Sequence, residues 1–221
     1  MSGTNRFQNQ SRLLTEDARE NWKVTIVGGG AIGSFVALAL TKMGVSVEIW
    51  DEDRIENHNF ANQMMETAQL GMNKAEAVRD TCYRFSGERV TAIPLFMDDE
   101  AAGELSSTIL VLAVDSMATR KMIAKRALDR RGITIIDARM GGQNYRVITT
   151  SFLAEYEKTL YTDEQAAPDL CGQKSIIYTV LGCASEVCNS VRRIMMDEPT
   201  TFEVFKDYNV PGKAVVHEEV I

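Results

Sequence analysis

KVTIVGGGAIGSFVALALTKM, Lys23 to Met43, decides the fold. Val24 to Val27 is a short apolar run of strand length, GGGAIG is a turn, and Ser34 to Met43 is an apolar stretch of helix length that Gly44 closes. Gly28, Gly30 and Gly33 fit the spacing G-x-G-x-x-G. Each glycine has its own physical use there: a tight turn, close backbone approach to a phosphate, and close packing of helix on strand. The helix that follows offers free N–H donors and the positive end of its dipole to an anion. A second strand, Val45, Val47 and Ile49, ends at Trp50-Asp51. Asp51 lies 21 residues after Gly30, where an acid accepts hydrogen bonds from ribose hydroxyls. The order strand, glycine turn, helix, strand, acid is that of a Rossmann-type nucleotide site. NAD, FAD and ATP all use such a turn.

Working outward, the hydrophobic period continues to switch between two and 3.6. A helix is expected around Asn73 to Phe85, a strand around Val90 to Leu95, a short acidic helix from Asp98 and an apolar strand from Ile109 to Val114. Ser116 has the chemistry of a cap for a helix that stops near Gly132, and Ile133 to Ile136 supplies another strand. After Asp137 the pattern changes: Tyr145 to Thr149 reads as extended, 151 to 170 as mostly loop, and Ser175 to Met196 as one long helix. Phe202 to Phe205 and Ala214 to Val216, around Pro211-Gly212, suggest a terminal hairpin or a partner-binding arm. The expected class is α/β: a Rossmann-like, doubly wound, mostly parallel sheet with an antiparallel C-terminal extension. The expected organisation is an N-terminal arm over 1–20, a nucleotide-binding domain over 21–150, and a crossover loop, long helix and extension of the same domain over 151–221.

Composition narrows the function. The 221 residues are 45% hydrophobic, enough for one good core. A net charge of -7 repels polyphosphate backbones, and no basic patch stands out, so a nucleic-acid partner is not expected. The polar first 22 residues have no apolar core of signal-peptide length, and no apolar stretch reaches bilayer length, so a cytoplasmic protein without a membrane partner is expected. Cys82, Cys171, Cys183 and Cys188 form no C-x-x-C pair, and the chain holds only His58 and His217, poor material for a structural zinc site.

DEDRIENHNFANQ, starting at Asp51, followed by LGMNKAEAV, starting at Leu70, resembles the ThiF/MoeB family, related to ubiquitin-activating enzymes. Its pattern there is D-x-D-x-V, then N-L-x-R-Q, then G-x-x-K. Asp51 and Asp53 match the acids, Asn59 the asparagine, Gln63 the glutamine, and Gly71 and Lys74 the last pair. Asp115 to Arg120, DSMATR, is similar to the family's D-N-x-x-x-R. The resemblance covers about Arg6 to Thr149. It implies an adenylyltransferase that binds ATP and Mg²⁺ and activates the C-terminus of a small ubiquitin-like or sulfur-carrier protein. By that resemblance Gly28, Gly30, Gly33, Asp51, Asp53, Asn59, Gln63 and Lys74 would hold the nucleotide, with Lys74 on phosphate and Asp115 on the metal. A homodimer is implied as well.

The chain departs from the pattern twice. Asn62 stands where N-L-x-R-Q has its arginine, and Asn9, in RFQNQ, stands where the family's R-Y-x-R-Q has the second arginine, which acts on the partner subunit's ATP. Two permanent charges are therefore absent unless Arg6, Arg12 or Arg54 substitutes. This keeps open a second reading, a catalytically degenerate nucleotide-binding subunit or scaffold. A third, an NAD-dependent oxidoreductase, lacks a recognisable catalytic histidine or Tyr-Lys arrangement. Cys171, in PDLCGQKS before the long helix, resembles the position of the cysteine that forms a thioester or persulfide in some members. A thiol at a helix start has a lowered pKa, which makes Cys171 the candidate nucleophile; a half-buried thiol that only packs the loop is the alternative.

Overall fold

The computed structural model describes residues 6–161, 176–210 and 214–220, the last of these as backbone. Its centre is an eight-stranded sheet in the order β3-β2-β1-β4-β5-β6-β7-β8. The strands are β1 (Lys23–Val27), β2 (Ser46–Trp50), β3 (Thr91–Ile93), β4 (Ile109–Leu112), β5 (Thr134–Gly141), β6 (Asn144–Thr150), β7 (Thr201–Asp207) and β8 (Ala214–Val220). The first five are parallel; β6, β7 and β8 add antiparallel. Parallel strands carry helices on both faces and so read as continuous apolar runs. All four residues of β4, Ile-Leu-Val-Leu, are buried accordingly.

The helices are α1 (Glu16–Asn21), α2 (Ala31–Lys42), α3 (Lys74–Ser86), α4 (Asp99–Gly103), α5 (Met117–Leu128), α6 (Leu153–Glu157) and α7 (Ile177–Met195). On one face α2, α3 and α7 cover a core that includes Val24, Ile26, Val36, Leu40, Ile49 and Val187. On the other, the core beside α4, α5 and α6 includes Leu110, Leu112, Ile123, Ile135 and Tyr156. Gly33 shows how tightly the first face is set: a Cβ there would overlap the carbonyl oxygen of Gly28. Gly33→Ala is therefore expected to lower stability by about 3 kcal/mol, read as a lower denaturant midpoint with an unchanged slope.

Several boundaries differ from the sequence reading, each for a physical reason. Pro94 has no N–H to give a ladder, and β3 stops at Ile93 instead of running to Leu95. Instead of stopping at Ile136, β5 runs on through Asp137 and Arg139 to Gly141, because these charges neutralise one another inside the sheet. Helix α5 ends at Leu128, short of Gly132. The expected loop after Thr150 contains the short helix α6. The C-terminal segments form a hairpin, and β7 extends the sheet from β6.

Candidate functional site

The strand order reverses between β1 and β4, and ligands of open α/β sheets bind at the carboxyl ends of the strands at such a switch point. A cleft of about 550 Å³ opens there, lined by Gly28, Gly30, Asp51, Asp53, Gln63, Lys74 and Asp115 among others. Gly28 turns the chain out of β1 at φ +100°, and a Cβ on it would come within 2.6 Å of the Ala113 carbonyl oxygen. The neighbour of a Cβ on Gly30 nearest to hand is Gln63 Nε2, 3.9 Å away, so this glycine leaves its space to the cleft. Side-chain oxygen Oε1 of Gln63 is buried without a hydrogen-bond partner. An orphaned acceptor of this kind is uncommon and fits a site completed by a ligand donor or water.

Asp51 leaves β2 with its carboxylate accepting from the backbone N–H of Gly29 at 2.6 Å and of Asp53 at 2.8 Å. Burial pushes its carboxyl up from the ordinary range, against the pull of those two N–H groups and of Lys74. Lys74 opens α3; its ammonium lies 2.8 Å from Asp53 Oδ2, which is well exposed. Asn73, which the sequence reading passed over, ties this corner together. It caps α3 by accepting from the Glu76 N–H, and its amide donates to the carbonyls of Asp51 and Asp53. Its signal was legible as Asn before a helix with Glu three positions on. Asp115 follows β4 and is exposed. Ser116, not Asp115, caps α5 by accepting from the Thr119 N–H, so the Asp115 carboxylate is not spent on the helix.

Two residues expected on the nucleotide stand outside the cleft lining. Gly33 serves helix packing. Asn59 is buried, and its Oδ1 accepts from the Glu56 N–H in a reciprocal cap of a short 3-10 turn. Cys171 lies outside the described residues. The described cysteines are core thiols: burial pushes Cys82 up to about 11 and Cys188 up to about 12, and raises Cys183 as well. Of the arginines able to replace the two absent ones, Arg6 is tied to the Ser86 carbonyl and Glu88, and Arg54 donates to the Gly71 carbonyl. Arg12 is exposed.

The lining charges are four carboxylates, Asp51, Glu52, Asp53 and Asp115, against Lys74 and Arg120. Arg120 is already engaged with Asp137. The lining is therefore net acidic, and the exposed Asp115 carboxylate has the hard oxygen chemistry that suits a divalent cation. Among the described residues no group of three His, Cys, Asp or Glu side chains is placed to hold a metal ion. No helix among them is long and apolar enough to cross a membrane.

A sequence model of the ThiF family matches residues 6–212. The chain belongs to the ThiF family. Over 59 residues it is 39% identical to ubiquitin-like modifier-activating enzyme 5 of Caenorhabditis elegans, a match spanning 26% of this chain and only 14% of that relative. Among solved structures, the microcin C7 biosynthetic enzyme MccB, in complex with N-formylated MccA, superposes with a TM-score of 0.80 at 19% identity, over 97% of this chain and 72% of that one. MccB of E. coli has also been solved with ATP; that structure gives a TM-score of 0.75 at 18% identity, over 97% of this chain and 71% of that one. The E. coli tRNA N6-threonylcarbamoyladenosine dehydratase TcdA gives 0.70 at 18% identity, over 87% of this chain and 94% of that one.

Proposed function

We propose that this chain is an adenylyltransferase that binds ATP with Mg²⁺ in the cleft and activates the C-terminus of a peptide or a small ubiquitin-like or sulfur-carrier protein. One observation carries the reading: Lys74, Asp115 and the open Gly28–Gly30 turn line one cleft at the switch point. The reaction joins a carboxylate oxygen to the α-phosphorus and breaks the bond to the departing pyrophosphate. Two anions must be brought together, so the protein has to supply charge and positioning. The turn and the start of α2 offer N–H groups to phosphate, Asp51 accepts from the ribose, and Asp115 would hold Mg²⁺, which neutralises the leaving group when bound. Lys74 reaches phosphate by leaving Asp53, a small cost for a pair with one exposed partner.

A second reading, nucleotide binding without turnover, is favoured by Asn9 and Asn62 at the two arginine positions and by the prior engagement of Arg6 and Arg54. A homodimer in the cytoplasm is the expected state. The exposed Ile176, Ile177, Tyr178 and Leu181 at the start of α7 are suited to such an interface. Exchange of labelled pyrophosphate into ATP, run with a peptide ending in a free C-terminal carboxylate, tests the activity. Exchange supports adenylation. Thermal stabilisation by ATP and Mg²⁺ without exchange supports the degenerate subunit, and stabilisation by NAD alone overturns both. At about a hundred times Kd, a ligand should add about 2.7 kcal/mol.

The raised Asp51 carboxyl gives this site a pH signature. An acid whose folded pKa lies above its unfolded one binds its proton more readily when folded. Its contribution to stability is therefore unfavourable where it is ionised and improves as pH falls through the folded pKa. Nucleotide binding has the opposite sign, because a protonated Asp51 accepts poorly from ribose hydroxyls. As pH falls through the raised range of Asp51, the difference between wild type and Asp51→Asn is expected to show ATP affinity falling while the stability of the free protein rises. Parallel changes in the two quantities would refute the assignment.

A further inference from the structure

The cleft has a second wall of different chemistry. Trp50, Leu95, Phe96 and Met97 line it beside the acids, and Leu95 and Phe96 are 59% and 46% exposed. Trp50 packs one flank against the core on the α4 and α5 face. Its indole N–H donates to Glu48 Oε1 at 2.8 Å. Glu48 is buried within a parallel strand, where an apolar residue is the rule. It is held there by Lys23 Nζ at 2.7 Å and by the Thr25 hydroxyl at 3.4 Å, and Lys23 also reaches Ser106 Oγ at 2.9 Å. Burying a carboxylate is expensive even when it is paired. What this one does is hold a ring: the indole at the cleft wall has its N–H tied and one flank packed. The next residue is Asp51, the acceptor expected for ribose, so ring and acceptor adjoin as a base and its sugar do.

We propose that Trp50, oriented by Glu48, is the platform on which the cleft stacks a purine base, with Leu95 and Phe96 completing the apolar wall. The inference rests on the nucleotide reading above and gives it selectivity: the site takes an aromatic base and not polyphosphate alone. Trp50 touches the ligand; Glu48 is a positioning residue. Stacking of a base on an aromatic side chain corresponds to about a tenfold change in affinity.

Trp22→Phe leaves Trp50 as the one tryptophan reporter. In that variant ATP with Mg²⁺ is expected to quench emission with the same midpoint that equilibrium dialysis of labelled ATP gives, whereas inorganic tripolyphosphate with Mg²⁺ leaves emission unchanged. Trp50→Leu, which keeps apolar bulk, should weaken ATP about tenfold and leave tripolyphosphate binding as it was. Glu48→Leu should shift the emission of the free protein and reduce the quench, and Glu48→Gln, which keeps an acceptor for the indole, should restore both. ATP that binds by dialysis without quenching, and binds Trp50→Leu as tightly as wild type, overturns the platform and leaves the nucleotide reading standing. No binding of labelled ATP to wild type overturns that reading and the platform with it.

Discussion

Asp137→Asn is expected to cost about 3–5 kcal/mol and to lower the thermal midpoint by roughly 10 °C. Asp137 is fully buried within β5, opposite Leu112 at the end of β4. Its carboxylate pairs with Arg120, accepts from Arg139 Nε at 2.9 Å and Nη2 at 2.6 Å, and accepts from the Tyr156 hydroxyl at 2.8 Å. Both arginines are buried, so asparagine would leave two guanidinium ions with no counter-charge. An exposed pair is a poor guide to this one: breaking Arg6–Glu88, with side chains 55% and 40% exposed, should cost under about 1 kcal/mol. The cluster also reaches the candidate site. Arg120 donates to the carbonyls of Leu112 and Val114, which lead into Asp115, and to that of Ala138 on the neighbouring strand. Nucleotide binding should therefore weaken in Asp137→Asn even at temperatures where it is folded. Chemical denaturation with a two-state fit measures the first effect; an unchanged midpoint would mean that Asn satisfies the cluster as well as Asp.

This cluster also marks where sequence reading stops. The strand, glycine turn and first helix were legible because local periodicity and backbone demands coincide over Lys23 to Met43. Asp51, Asp53, Gln63, Lys74 and Asp115 were legible from spacing in the motif, and the structure brings them to one cleft. Asp137 and Arg139, two residues apart on β5, read as the end of a strand because charges rarely sit inside sheets. Their neutralisation depends on Arg120, 17 residues away on α5, and on Tyr156 from α6. No local pattern announces such a meeting. Asn59 shows a related limit, since a motif asparagine has the same letter whether it faces a phosphate or, outside the cleft lining, holds a turn. Trp50, Leu95 and Phe96 went unnoticed because aromatic and apolar residues beside a strand read as core until the cleft is seen to open beside them.

Asp115→Asn should have the largest effect on function and one of the smallest on the fold. The residue is exposed, follows β4, and leaves the capping of α5 to Ser116, so the free protein should keep its stability within about 0.5 kcal/mol. The cleft it borders carries Asp51, Glu52 and Asp53 as well, with Lys74 as its one cation not already bound to Asp137. Such a field favours ATP that arrives with a metal, and Asp115, like Glu52, is left uncommitted by either backbone or lysine. Asparagine keeps the shape and removes the charge. Stabilisation by ATP that depends on Mg²⁺ should then disappear, and pyrophosphate exchange should fall on the order of a hundredfold to a thousandfold, the loss that follows removal of one group stabilising transition-state charge. Stabilisation measured with ATP plus Mg²⁺ and with ATP plus chelator separates the two contributions. If Asp115→Asn keeps the Mg²⁺-dependent stabilisation of wild type, the metal is held by Asp51, Glu52 or Asp53. The acids after β2 would then serve both ribose and cation, and Asp115 would have no part in the site.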